Sequence, residues 1–309
     1  QPDITMAEAI LVEMQYPAAG VQSIRYTGQA REIVQFAPLT QDLPANPACG
    51  LRHQGTYLIT GGVSGLGLHI AHWLAQSVEA TTIILGRRSG GDKLEAQLQQ
   101  LAGKGRIIYK QADVTQAQLP QQLAQWEQAY GAIHGVFHTA GISADGLLAT
   151  KSQDDLQTVM APKVYGAEQL LRYFAQRPLD FMAFFSSTTS VFGNRGQSDY
   201  AWANATMDAL AQYYQQHQLA ADTLITSLNW GPWESGSMLP APQMLAFMEQ
   251  QFGIVPIITE AGLQAIATVL QHGLSQCLVM QGDATRQEAL LRHHYPQEAV
   301  AQELVLAEA

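Results

Sequence analysis

Two consecutive serines, Ser186 and Ser187, close the apolar run MAFFSS, and Tyr200 opens a helical pattern thirteen positions after Ser187. Asn204 follows four residues later and therefore shares a helix face with Tyr200. A strand, a Gly-containing loop and a helix would bring a hydroxyl, a phenol and an amide to the C-terminal edge of a sheet. Ligands bind at that edge in open α/β folds. The competing reading is an ordinary strand-to-helix connection with polar loop residues.

A second constellation strengthens the first. The segment TYLIT-GGVSGLG places Gly61, Gly62, Ser64, Gly65, Leu66 and Gly67 between a short apolar strand and a helix. Glycines there permit a tight turn and close approach of backbone to a pyrophosphate. The helix N-terminus then offers unpaired N–H groups and a positive dipole end. About twenty residues on, the end of the next strand selects the cofactor. A carboxylate would favour the ribose hydroxyls of NAD; here stand Gly86, Arg87 and Arg88. Guanidinium groups suit a 2′-phosphate through charge and forked donors, so the expected cofactor is NADPH, with Arg87 as the first contact. Asp113 and Val114 are expected to end the third strand, near an adenine edge. His138, Ala140 and Gly141, in the loop HTAG, are small enough a group to lie beside the ribose.

These residues need elements to hold them. Apolar strands are expected at 56–60, 81–86, 106–113, 135–141 (with its exit loop), 182–187, 223–230 and 277–282. Helices are expected between them, including a long one over Gln153 to Phe174, one over Tyr200 to His217, and a lid helix over Gln243 to Phe252. Short apolar strands alternating with amphipathic helices predict an α/β fold with a doubly wound parallel sheet. Residues 1–54 differ: a short helix over Ala7 to Met14, a hairpin over Val21 to Tyr26 and Arg31 to Phe36, then a loop broken by Pro38, Pro44 and Pro47. A lone hairpin is not stable by itself, so it must pack on the main domain or on further sequence. The expected division is 1–54, 55–285 and a tail over 286–309 that is a helix or a linker.

Composition narrows the function. The chain has 309 residues with 47% hydrophobic and 14% charged residues and a formal net charge of −10. A basic face for nucleic acid is therefore not expected, and no apolar run reaches membrane-spanning length. Cys49 and Cys277 lie far apart and in no metal or redox spacing, as reduced thiols of a cytoplasmic protein would. The chain starts at Gln1, as a piece of a longer polypeptide would.

TGGVSGLG, the arginine pair, HTAG, the FSS…Y…N stretch and NWGPW together resemble short-chain dehydrogenases. More closely they resemble ketoreductase domains of modular polyketide synthases, over roughly residues 55 to 285. GNRGQSDYAWAN is similar to the subgroup whose acyltransferase is recruited in trans. The resemblance makes residues 1–54 a truncated remnant of the family's structural subdomain. Generic short-chain dehydrogenases carry Tyr-x-x-x-Lys, whereas Asn204 stands here. Polyketide ketoreductases place the lysine on the preceding helix, 24 residues before the serine, where this chain has Lys163.

The resemblance implies hydride transfer from NADPH to the carbonyl carbon of a β-ketoacyl thioester. Tyr200 would protonate the developing alkoxide, Ser187 would polarise the carbonyl oxygen, Lys163 would favour the phenolate, and Asn204 would orient Lys163 or a relay water. It also implies stereocontrol. Asp145, in Ser143-Ala144-Asp145, matches the last residue of the motif that marks B-type domains, which make D-hydroxyls. Phe192 stands where A-type domains carry Trp, and Trp202 where B-type domains acting on α-methylated substrates tend to carry Pro. Met238 and the lid loop are expected to contact the acyl chain. The implied partners are an acyl carrier protein bearing phosphopantetheine and the neighbouring synthase domains. Two other readings are a redox-silent or epimerising family member and a free-standing reductase of diffusible carbonyls.

Overall fold

The structure, a computed structural model, describes residues 8, 11, 24–27, 30–33, 35–39, 50–217 and 223–295. The helix expected over Ala7 to Met14, Pro44, Pro47, Cys49 and the last fourteen residues of the tail lie wholly or largely outside these. The hairpin is present as β1 (Ile24–Thr27) and β2 (Ala30–Ile33), paired antiparallel.

The first strand of the main sheet, β3 (Thr56–Thr60), is buried along its length. Its residues alternate between two cores, as the period of two demands. Tyr57 and Ile59 join one cluster, and Leu58 joins the cluster on the other face. The same two-sided burial holds for β7 (Phe181–Ser187) and β8 (Leu224–Trp230). It explains why these strands read as continuous apolar runs rather than alternating ones.

Seven strands form one all-parallel sheet. In spatial order they are β5 (Arg106–Gln111), β4 (Thr81–Gly86), β3, β6 (Gly135–His138), β7, β8 and β10 (Gln276–Val279). The order reverses between β3 and β6, which opens a crevice at their C-terminal ends. Helices cover both faces: α1 (Leu66–Val78) and α2 (Asp92–Ala102) contribute to one core, α3 (Leu119–Tyr130) to the other. Among the described residues no helix is long and apolar enough to cross a membrane.

Four sequence expectations are corrected. The third strand ends at Gln111, because Asp113 folds into a local turn, its Oδ1 accepting from the Thr115 N–H at 2.9 Å and hydroxyl at 2.8 Å. The long helix is α4 (Gln153–Met160) and α5 (Gly166–Phe174), joined by a π-turn over Ala161–Tyr165. Pro162, which lacks an N–H, sits in that turn. The last strand is split: β10 stays in the main sheet, while β11 (Gln281–Gly282) turns to pair antiparallel with β9 (Ile254–Val255). The loop after β7 contains a short helix, α6 (Thr189–Phe192), ahead of α7 (Ser198–His217).

The remaining helices are α8 (Pro242–Phe252), α9 (Thr259–His272) and α10 (Ala284–His294). No residue of α8 is buried, and Met244 and Phe247 are exposed on it. The start of the tail is thus the helix α10. Its end docks on the domain, where the Tyr295 hydroxyl donates to the Val191 carbonyl at 2.8 Å.

Candidate active site

The glycine loop is built by contacts that exclude side chains. Gly61, Gly62 and Gly65 have φ of +117°, +88° and +62°. A Cβ on Gly61 would lie 2.5 Å from Thr139 Oγ1, and one on Gly67 would lie 2.9 Å from the Gly62 carbonyl oxygen. Gly62 instead faces open space within 4 Å. Helix α1 begins with Gly65 as N-cap, no side-chain cap and no acidic residue in its first turn. Its first N–H groups therefore lack a side-chain acceptor, and this cradle fits the pyrophosphate of a dinucleotide. Ser64 is exposed and Leu66 half-buried at the same turn.

The crevice is pinned across the reversal of strand order. The Thr139 N–H and hydroxyl both donate to the Thr60 carbonyl, at 3.2 and 2.5 Å. The Ala140 N–H donates to Thr60 Oγ1 at 3.3 Å. His138 Nδ1 lies 2.7 Å from Thr60 Oγ1, and its Nε2 lies 2.9 Å from the Pro162 carbonyl oxygen. Only a donor satisfies that carbonyl, so Nε2 carries the proton and Nδ1 accepts from the threonine. The ring is fully buried, and burial, aided by the Lys163 charge, pushes its pKa down to about 3. The expectation that His138 lies beside the ribose is corrected for its side chain: the ring is a neutral strut between β3, β6 and the π-turn.

Arg87 and Arg88 are exposed at the end of β4, and among the described residues no ion pair engages either guanidinium. Their carbonyls are held instead, Arg87 by the Gln111 amide at 3.2 Å and Arg88 by the Tyr109 hydroxyl at 2.6 Å. Val114 is buried against Gly166, where a Cβ would lie 2.7 Å from its Cγ1.

The residues expected to do acid–base chemistry converge beside this crevice. Lys163 is 2% exposed, and its Nζ donates to the Phe185 carbonyl at 2.5 Å. It also lies 5.8 Å from the centroid of the Tyr200 ring. A Cβ on Gly141 would come within 2.7 Å of Lys163 Cε, so that glycine makes room for the lysine. Burial lowers the Lys163 pKa to about 8, against the pull of the Asp208 charge. Burial raises the Tyr200 pKa above its ordinary value, and the charge of Asp145 adds to this; hydrogen bonding to Asn204 and Ser187 opposes it. Ser187 is 8% exposed and its Oγ accepts from the Thr189 N–H at 3.1 Å. Asn204 is fully buried and donates to the Tyr200 carbonyl at 2.8 Å, and among the described residues its Oδ1 has no partner. An unpaired buried amide oxygen is a polar group open to a donor.

The sequence reading did not single out Asp208. It stands one further turn along the face of Tyr200 and Asn204, and that i, i+4, i+8 spacing was the available signal. Its carboxylate accepts from Ser190 Oγ at 2.8 Å, Asn229 Nδ2 at 2.7 Å and the Ser227 hydroxyl. The Asn229 amide donates as well to Ser186 Oγ at 3.1 Å. The first serine of the pair is thus tied into the network around Asp208.

The other predicted residues are placed more loosely. Asp145 is exposed and its Oδ1 accepts from Gln197 at 2.8 Å. Met238 reaches over Gly141, with Cε 3.6 Å from the Cβ position there. Trp202 is 58% exposed on the first turn after Tyr200. Phe192 packs edge-on against His294 of α10, with centroids 5.3 Å apart.

A reversed parallel sheet, a glycine loop before α1 and a Ser–Tyr–Lys–Asn cluster at the strand ends define an oxidoreductase of the short-chain dehydrogenase class, whose members bind a nicotinamide cofactor. Among these, the KR domain family matches residues 55–235, and the chain belongs to it. Polyketide synthase PksN of Bacillus subtilis (strain 168) is 37% identical over 270 residues, 85% of this chain and 5% of that protein. Polyketide synthase PksL of the same strain is 33% identical over 277 residues, 87% of this chain and 6% of that protein. A ketoreductase domain from the bacillaene assembly line superposes with a TM-score of 0.78 at 32% identity, covering 87% of this chain and 64% of that one. An N-terminal ketoreductase from the macrolactin assembly line gives a TM-score of 0.70 at 30% identity, covering 84% and 49%. The chain thus spans only 5–6% of the length of these two synthases.

Proposed function

We propose that this domain uses NADPH to reduce a β-ketoacyl thioester to the β-hydroxyacyl thioester in polyketide assembly. The observation that carries this reading is the convergence of Ser187, Tyr200, Lys163 and Asn204 beside the glycine cradle. The substrate is tethered by phosphopantetheine to an acyl carrier protein, and neighbouring synthase domains, of the type with a trans-acting acyltransferase, flank residues 55–285. The setting is cytoplasmic.

Bound NADPH supplies the hydride. Gly61, Gly62, Gly65 and the N-terminus of α1 would hold its pyrophosphate, Arg87 and Arg88 its 2′-phosphate, and Asp113 and Val114 would lie on the adenine side. Ser187 donates to the carbonyl oxygen and concentrates charge there, as an oxyanion donor does. Tyr200, kept protonated by burial, gives its proton to that oxygen. Lys163 stabilises the phenolate left behind, and the free Oδ1 of Asn204 orients the lysine or a relay water. Asp145 near the phenol makes the domain B-type, with a D-hydroxy product; Phe192, Trp202 and Met238 shape the space for an unmethylated acyl chain.

NADPH oxidation with a β-ketoacyl N-acetylcysteamine thioester, with chiral analysis of the product, tests the reading. Consumption with a D-hydroxy product is expected, and an L product would discard the role of Asp145 alone. Silence with a carrier-bound substrate as well, in a protein that binds NADPH, would replace reduction by a scaffolding or epimerising role. Arg87→Ala is expected to weaken NADPH about 10- to 100-fold relative to NADH, the scale of one or two charged hydrogen bonds. An unchanged preference in steady-state kinetics with both cofactors would move the 2′-phosphate elsewhere.

A further inference from the structure

The segment 144–151 carries Asp145, and residues 196–200 lead into the helix of Tyr200; a buried ion pair joins the two. The Lys151 ammonium donates to the Asp199 carboxylate and to the Ala144 carbonyl. The side chains of Lys151 and Asp199 are only 4% and 0% exposed. The other oxygen of Asp199 accepts from the Tyr200 N–H at 2.9 Å. Two further bonds span the same gap: Gly146 N–H to the Gly196 carbonyl at 2.8 Å, and Gln197 Nε2 to Asp145 Oδ1 at 2.8 Å. A surface pair would add little order, but a buried, hydrogen-bonded pair fixes the register of what it joins.

We propose that Lys151 and Asp199 are positioning residues that clamp the Asp145 loop to the first turn of the Tyr200 helix, and so set which face of the ketone meets the hydride. The proposal rests on the reductase reading above. Neither residue touches substrate. Their effect passes through the distance between Asp145 and the phenol. Leu147 and Leu148, in the clamped loop, are 51% and 62% exposed, so the loop has little apolar burial of its own to fix it. The ion pair and two hydrogen bonds do that instead.

The test uses the intact chain as K151M, D199N and the double variant K151M/D199N. The double variant leaves no unpaired buried charge and keeps the experiment open where a single change prevents folding. With a diffusible β-ketoacyl thioester, each folded variant is expected to lower the ratio of the two hydroxy epimers ~10-fold, because selectivity is a difference between two transition states. The KM for thioester rises and NADPH affinity stays at the wild-type value. Hydrogen exchange reads the clamp without turnover: the Gly146 and Tyr200 amides should exchange faster in the double variant. Unchanged exchange at both amides overturns the clamp whether or not the protein reduces anything. A wild-type epimer ratio in folded, active variants overturns its stereochemical role. Faster exchange in the double variant, with a wild-type protein that reduces no thioester, strikes the reductase reading and leaves the clamp standing.

Discussion

Tyr200→Phe is expected to lower turnover ~10²–10⁴-fold, the usual contribution of a positioned acid, with the fold and NADPH affinity retained. The substitution deletes one oxygen from a residue whose ring remains packed beside Val159, Met160 and Ala203. What disappears is the proton. Burial holds the phenol above its ordinary value and the Asp145 charge adds to the shift, so at neutral pH Tyr200 is an acid with a proton to give. It is also a reluctant one, and this is where Lys163 matters. As the phenol releases its proton the phenolate gains a cation 5.8 Å from the ring centroid, an interaction that strengthens only in the transition state and therefore raises kcat. The check is kcat with the thioester, alongside a fluorescence titration of NADPH and a melting curve. Near-normal turnover with intact binding would remove Tyr200 from the proton-transfer step.

Much of this arrangement was legible because it rests on local signals. The positive-φ glycines, the apolar runs and the Tyr200–Asn204 spacing each follow from short-range stereochemistry, and strands β3, β4 and β6 lie where the runs placed them. Other features depend on partners remote in sequence. His138 opens the small loop HTAG expected beside the ribose, yet Pro162, across the fold, claims its Nε2. The π-turn at Ala161–Tyr165 has no periodic signature; it is a one-residue excess in the turn that carries the buried Lys163. The clamp between Lys151 and Asp199 joins residues 48 apart. Asp208 lies within reach of the same face rule that finds Asn204, but its partners Ser190, Ser227 and Asn229 are remote in sequence.

Lys163→Met is expected to remove turnover on the same ~10²–10⁴ scale and yet to leave the melting temperature unchanged or raised. The ammonium is buried with one carbonyl as its hydrogen-bond acceptor, and burial of a charge is costly. The methionine has nearly the same shape and fills the space that Gly141 leaves. The linkage gives the sign. The folded pKa, about 8, lies below the ordinary 10.5, so between these values the unfolded chain holds the proton that the folded one has lost. This group therefore opposes folding fully below about pH 8, and its penalty fades as the pH rises toward 10.5. The wild-type protein should gain stability relative to Lys163→Met across that window. Catalysis runs the opposite way: kcat for reduction should fall as the pH rises through about 8, because the neutral amine no longer supports the phenolate. Melting curves and kcat measured on both sides of that pH separate the two effects. A variant that is both inactive and strongly destabilised would make Lys163 a structural residue; an inactive variant as stable as the parent is what a site that holds a buried charge for chemistry predicts.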